Sequence, residues 1–100
     1  MATRPKSIQV LGRRVNVHYS IPKDQPQDVM GLWYQHETKI HLHPGMSPDH
    51  TKATLMHELC HEFEHVCQLN MTEKEITLFS AVLFGTLREN PELVAWLMEK

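Results

Sequence analysis

Residues 47–68 read SPDHTKATLMHELCHEFEHVCQ, and their reading decides how the second half of the chain folds. Ser47 has the side chain of a helix N-cap, Pro48 suits the first helical position, and Asp49 places an acid in the first turn. Ala53, Leu55, Met56, Leu59, Cys60, Phe63, Val66 and Cys67 then recur at helical spacing. A helix is predicted from Pro48 to about Gln68, with a break at Asn70-Met71. Within it His57 and His61 stand four apart, one above the other on one face.

Downstream, Thr72 is the predicted cap of a second helix, with Ile76, Phe79, Val82, Leu83 and Leu87 along its apolar stripe. Asn90-Pro91 restarts the chain as a short third helix carrying Leu93, Val94, Trp96 and Leu97. Upstream the period changes to two. Val15, Val17 and Tyr19 alternate with Arg14, Asn16 and His18, the pattern of a half-buried strand. Ser7 to Leu11 and Arg14 to Tyr19 are predicted strands around a Gly12-Arg13 turn. Ile21 to Asp28, with two prolines, reads as a loop. Gly31 to Gln35 and Lys39 to His43 form a second hairpin around His36-Glu37-Thr38, ended by Pro44-Gly45. The expected fold is α+β. A small antiparallel sheet packs on the motif helix and a second helix, in a single domain over residues 1–100.

The chain is 41% hydrophobic and 22% charged, ordinary values for a globular protein. A net charge of −2 argues against a dedicated nucleic-acid or acidic-membrane binder. No stretch approaches the roughly 18 apolar residues of a membrane span, and the basic N-terminus lacks an apolar export segment. Cys60 and Cys67 are separated by about 10.5 Å of helical rise, beyond the roughly 7 Å limit of a disulfide. Two free thiols, read as small core residues, suit a reducing cytoplasm.

Eight histidines in 100 residues is the unusual figure. The pair His57 and His61 offers two imidazole nitrogens one helical turn apart, the bite that zinc takes at about 2.0–2.1 Å. Glu58 follows the first of them, placed to accept a proton from water held by the metal. A catalytic zinc usually has three protein ligands and an open position. Glu64, His65, Glu73 and Glu75 are the candidates for the third. Glu64 and His65 overshoot the metal on a straight helix. Glu73 reads as an exposed first-turn acid suited to the helix dipole. Glu75 aligns with Phe79, Val82 and Leu83, where a carboxylate needs a partner; the alternative is a capping box with Thr72. Tyr34, His41 and His43, on the hairpin before the helix, are candidates to stabilise an oxyanion. Lys39 to His43 is the expected edge strand for substrate backbone. Cys60 points roughly 100° away from His61. Trp33 and Trp96 are expected in the core or over the metal pocket. Arg13-Arg14 is expected to be solvated.

The segments Thr54-Leu55-Met56-His57-Glu58-Leu59-Cys60-His61 and Glu75-Ile76-Thr77-Leu78-Phe79-Ser80-Ala81-Val82-Leu83 resemble the ImmA/IrrE-like zinc metallopeptidases of bacteria and phages. The likeness covers roughly Gly31 to Leu87. It implies a minimal zincin-like fold of gluzincin type, with His57, His61 and Glu75 as zinc ligands and Glu58 as general base. It implies a peptide or protein as substrate. Many members are longer, with a further helix before the sheet and often a DNA-binding or sensor domain that 100 residues do not accommodate. The expected function is therefore a zinc-dependent metallopeptidase. The alternative, of a different class, is a catalytically silent, zinc-stabilised binding module that contacts a host or phage protein. A weaker third reading is a histidine-rich metal buffer.

Overall fold

The computed structural model describes residues 3–100. Its elements are β1 (Ser7–Val10), β2 (Arg13–His18), β3 (Gly31–Tyr34), β4 (Lys39–Leu42), α1 (Pro48–Val66), α2 (Glu73–Glu89) and α3 (Pro91–Met98). The class is α+β, with the strands in the first half and the helices in the second. The four strands form one sheet in the order β1-β2-β4-β3.

The sheet is mixed, where an antiparallel one was expected. β1 with β2 and β3 with β4 are antiparallel pairs, but β2 and β4 run parallel. The loop after β2 carries the chain past the place of β4 to build β3 first. The hairpin then returns β4 between the two. Parallel pairing sets Val17 opposite Ile40, two β-branched residues that the core can cover. β4 is thus an inner strand, and β1 and β3 are the edges. The expectation of Lys39 to His43 as an edge does not hold.

The first turn is Leu11-Gly12, one residue earlier than expected. Both have positive φ, 48° and 86°, the requirement of a type I′ hairpin turn. The shift sets Val10 opposite Arg13 and Ile8 opposite Val15. Arg13 therefore shares the inward phase of Val15 and Val17.

Val10, Val15, Val17, Ile40, Leu42 and Leu59 make the core, with Trp33, Leu55, Met56 and Phe63 packed against it. α1 lies over β3 and β4, α2 over α1, and α3 over the end of α2. Alternation along β4 turns Ile40 and Leu42 toward α1, and so turns His41 to the opposite face. There His41 stacks on His18 at 4.7 Å and meets the edge of Tyr34.

α1 begins as expected, with Ser47 Oγ accepting from His50 N–H. Its end lies before Asn70. Gln68 adopts φ 56°, and the Gln68 and Leu69 N–H groups donate back to the His65 and Glu64 carbonyls. This is a Schellman closure, built here on glutamine instead of the usual glycine. It reverses the chain so that α2 returns along α1.

The stripe expected to bury α2 is split: Ile76 is buried and Leu83 and Leu87 are half-buried, but Phe79 is 51% and Val82 67% exposed. Ser80 is buried as well. Trp96, expected in the core or over the metal pocket, is 67% exposed. Cys60 is buried and Cys67 is exposed, and both are free. Among the described residues no helix is long and apolar enough to cross a membrane.

Candidate metal centre

Two elements build the centre. α1 is unbroken through His57 and His61, so their imidazoles project from one face with centroids 5.1 Å apart. The first turn of α2 crosses in front of them. Glu73 reaches both: His57 Nε2 is 2.7 Å from its Oε1, and His61 Nε2 is 3.2 Å from its Oε2. All three groups offer a ligand atom within 4.8 Å of the others. Two imidazole nitrogens converging on one carboxylate match the donor set of a catalytic zinc, which leaves a position open. Burial lowers the pKa of His61, opposed by the charge of Glu73, and neutral imidazole is the form that binds a metal.

Glu75 is elsewhere. Its Oε1 accepts from Thr72 N–H at 2.7 Å, and its own N–H donates to Thr72 Oγ1 at 3.2 Å. These two bonds form a capping box and hold the Glu75 carboxyl below its ordinary pKa. The structure thus brings Glu73 to the histidines and leaves Glu75 at the cap. The physical reason is the rotation of α2. Its buried residues are Ile76 and Ser80, and Glu73 lies three and seven positions before them on that face. Glu75 lies on the side of exposed Phe79 and Val82. The buried side is less apolar, and its Ser80 is small enough for close helix contact. That small residue in phase with Ile76 was the available signal for Glu73.

Glu58 lies one position beyond His57, turned toward β3. It is 8% exposed, and burial raises its pKa to about 7, with His57 opposing and Glu73 reinforcing. Its neighbour on β3 is Gly31. A Cβ there would come within 2.9 Å of Glu58 Oε2 and 2.8 Å of Thr54 Cγ2, so the missing side chain makes the space the carboxyl occupies. Glu58, His57 and Glu73 all line a cavity of about 480 Å³, walled further by Met30, Ala53 and Phe84. A molecule in this cavity meets Glu58, His57 and Glu73 together.

One turn further along α1, Glu62 is fully buried. Trp33 Nε1–H donates to its Oε1 at 3.0 Å. Its Oε2 has no hydrogen bond but faces Arg13 Nε at 3.2 Å in an ion pair. Arg13 is therefore not merely solvated, and its phase with Val15 and Val17 was the sign of it. The indole of Trp33 stacks beside His61 in an offset, near-parallel arrangement, centroids 5.7 Å apart and planes 13° apart.

The oxyanion candidates are not at the centre. Tyr34 and His41 belong to the opposite face of the sheet. His41 Nδ1 donates to the Ser20 carbonyl at 2.8 Å, which leaves Nε2 buried without a partner. His43 Nδ1 accepts from Gly45 N–H in the turn after β4. Comparison with protein-family models, curated proteins and solved structures gives no match for this chain.

Proposed function

We propose that the chain is a zinc-dependent hydrolase of peptide bonds, with His57, His61 and Glu73 as ligands and Glu58 as general base. The observation that carries this reading is the convergence of two imidazoles and a carboxylate beside a buried, unpaired glutamate at the rim of one cavity. Bound there, zinc supplies Lewis acidity and brings water within reach of ionisation near neutral pH. Glu58 takes the proton from the attacking water and returns it to the leaving amine. Gly31 keeps the space that this carboxyl needs. β3 is an edge strand beside the cavity, and its unpaired backbone groups suit an extended peptide. The resemblance to ImmA/IrrE-like metallopeptidases supports the same assignment, with Glu73 in the place it gives to Glu75. The free thiols suit a reducing cytoplasm, and the small net negative charge gives no reason to expect nucleic acid.

The test is cleavage of a mixed peptide library by the zinc-loaded protein, read by mass spectrometry. Glu58→Gln is expected to keep one zinc per chain and to lose cleavage. Cleavage by that variant at the parent rate would sink the mechanism.

A binding module with a structural zinc is the second reading. The apolar residues exposed on α2 and α3, among them Leu78, Phe79, Val82 and Trp96, favour it, because a protein partner would cover them. One tightly held zinc without cleavage of any library peptide is its expected result.

A further inference from the structure

The imidazole of His61 lacks the usual support of a metal-ligating histidine. Such rings commonly donate their far N–H to a carboxylate or a carbonyl, which sets the tautomer and the plane. Among the described residues, His61 makes its polar contact through Nε2, toward Glu73, and its Nδ1 has no hydrogen bond. What lies against the ring is the indole of Trp33, 13° from parallel.

The indole is itself held. Its one N–H donates to Glu62 Oε1 at 3.0 Å, and the other oxygen of that carboxylate faces the guanidinium of Arg13. Glu62 is 0% exposed. A carboxylate with no contact to solvent carries a desolvation cost that partners must offset. Here the partners come from β2 and β3, the strands on either side of β4. The Arg13 guanidinium also approaches the Gln35 carbonyl in the turn after β3. The three side chains thus join α1 to the sheet, and the last of them, Trp33, ends on a candidate ligand.

We propose that Trp33 is a positioning residue for His61, and that Glu62 and Arg13 set the plane of its indole. The flat ring leaves His61 one orientation in which Nε2 meets His57 and Glu73. The inference rests on the reading of His57, His61 and Glu73 as a metal centre. The part concerning ring orientation can be read without metal.

Two measurements test it on the full chain, with circular dichroism as the check of folding. The first is NMR of the histidine rings in the metal-free protein. The His61 ring protons should show a ring-current shift from the neighbouring indole. Trp33→Leu should remove that shift. The second is zinc affinity by competition with a chelator. Trp33→Leu should weaken zinc about tenfold, the scale of losing an outer support of a ligand. Trp33→Phe keeps a flat ring but loses the N–H, and should give a smaller loss in both measurements; it carries the test where Trp33→Leu does not fold. Glu62→Gln keeps an acceptor for the indole but loses the charge that faces Arg13, and should give a smaller loss in both measurements than Glu62→Leu, which should behave as Trp33→Phe.

A folded Trp33 variant with unchanged His61 ring signals overturns the proposal. So does a ring shift that is lost while zinc affinity stays at the parent value. Failure of the parent to bind zinc, with its His61 ring shift present and dependent on Trp33, leaves the orienting role standing and removes the metal reading instead.

Discussion

Glu58 and Glu62 are the same residue type on the same helix, four positions apart and both buried, and the strand beneath gives them opposite environments. Four residues advance about 6 Å along α1, and two residues advance about 6.6 Å along β3. The two carboxylates therefore meet successive inward residues of β3. Glu58 meets Gly31, which offers space and no donor. Glu62 meets Trp33, which offers an N–H, with Arg13 on the other side. The first is left able to exchange a proton at the rim of a cavity. The second is bound into the frame. A carboxylate becomes chemical or structural here by what the facing strand supplies.

The strongest way to break this contrast is Glu62→Ala. It leaves the Trp33 N–H buried without an acceptor and Arg13 without its counter-charge. The expected loss is about 3 kcal/mol, reduced from the fully buried case because Arg13 reaches solvent. Urea unfolding measures it, and a loss under about 1 kcal/mol would mean the ion pair does not hold the frame.

Glu58→Gln should act in the opposite direction on the metal-free protein. The folded chain keeps the Glu58 proton up to about pH 7, whereas an unperturbed carboxyl releases it near 4.5. Glu58 therefore takes stability away as pH rises through that interval. The glutamine variant should match the parent below about pH 4.5 and exceed it by about 3 kcal/mol above about pH 7. Equal unfolding curves at pH 8 would show that the carboxylate has found a partner.

Gly31→Ala sharpens the contrast by filling the space opposite Glu58. The added methyl must displace Glu58 or Thr54, at a cost to stability of about 1 kcal/mol. If the hydrolytic reading holds, the loss of cleavage should exceed what that fraction unfolded explains. Gly31→Ala with full stability and full cleavage would show the glycine to be incidental.

The same contrast recurs between Glu75 and Glu73 in the first turn of α2. Glu75→Ala should cost about 0.5–1 kcal/mol through the lost capping box, with zinc affinity unchanged. Glu73→Ala should weaken zinc strongly, with little change in metal-free stability. The reverse result would return the ligand to Glu75.

Much of this was legible in local pattern. The N-cap at Ser47, the helical spacing through His57 and His61, the cap at Thr72 and the restart at Asn90-Pro91 all depend on neighbours within a turn or two. The strands of the two hairpins were legible to within a residue or two for the same reason. Which carboxylate of α2 meets the histidines was not. Glu73 and Glu75 sit two positions apart in one helical turn, and only the rotation of α2 against α1 separates them. The more apolar stripe pointed to the wrong side, because Ile76 and the small Ser80 fit the groove while Phe79 and Val82 stay outside. The edge of the sheet was hidden as well, since strand order depends on where a loop lands.

By itself the sequence determined the α+β class, the unbroken motif helix and the one-face placement of His57 and His61, because helical and strand periods are properties of the local backbone. Tertiary structure decided the rest of the centre: Glu73 beside the histidines, Gly31 beneath Glu58, and Trp33 with Arg13 around Glu62. Each of those contacts joins residues from separate elements, and their meeting depends on how whole helices and strands rotate and pack to cover the core.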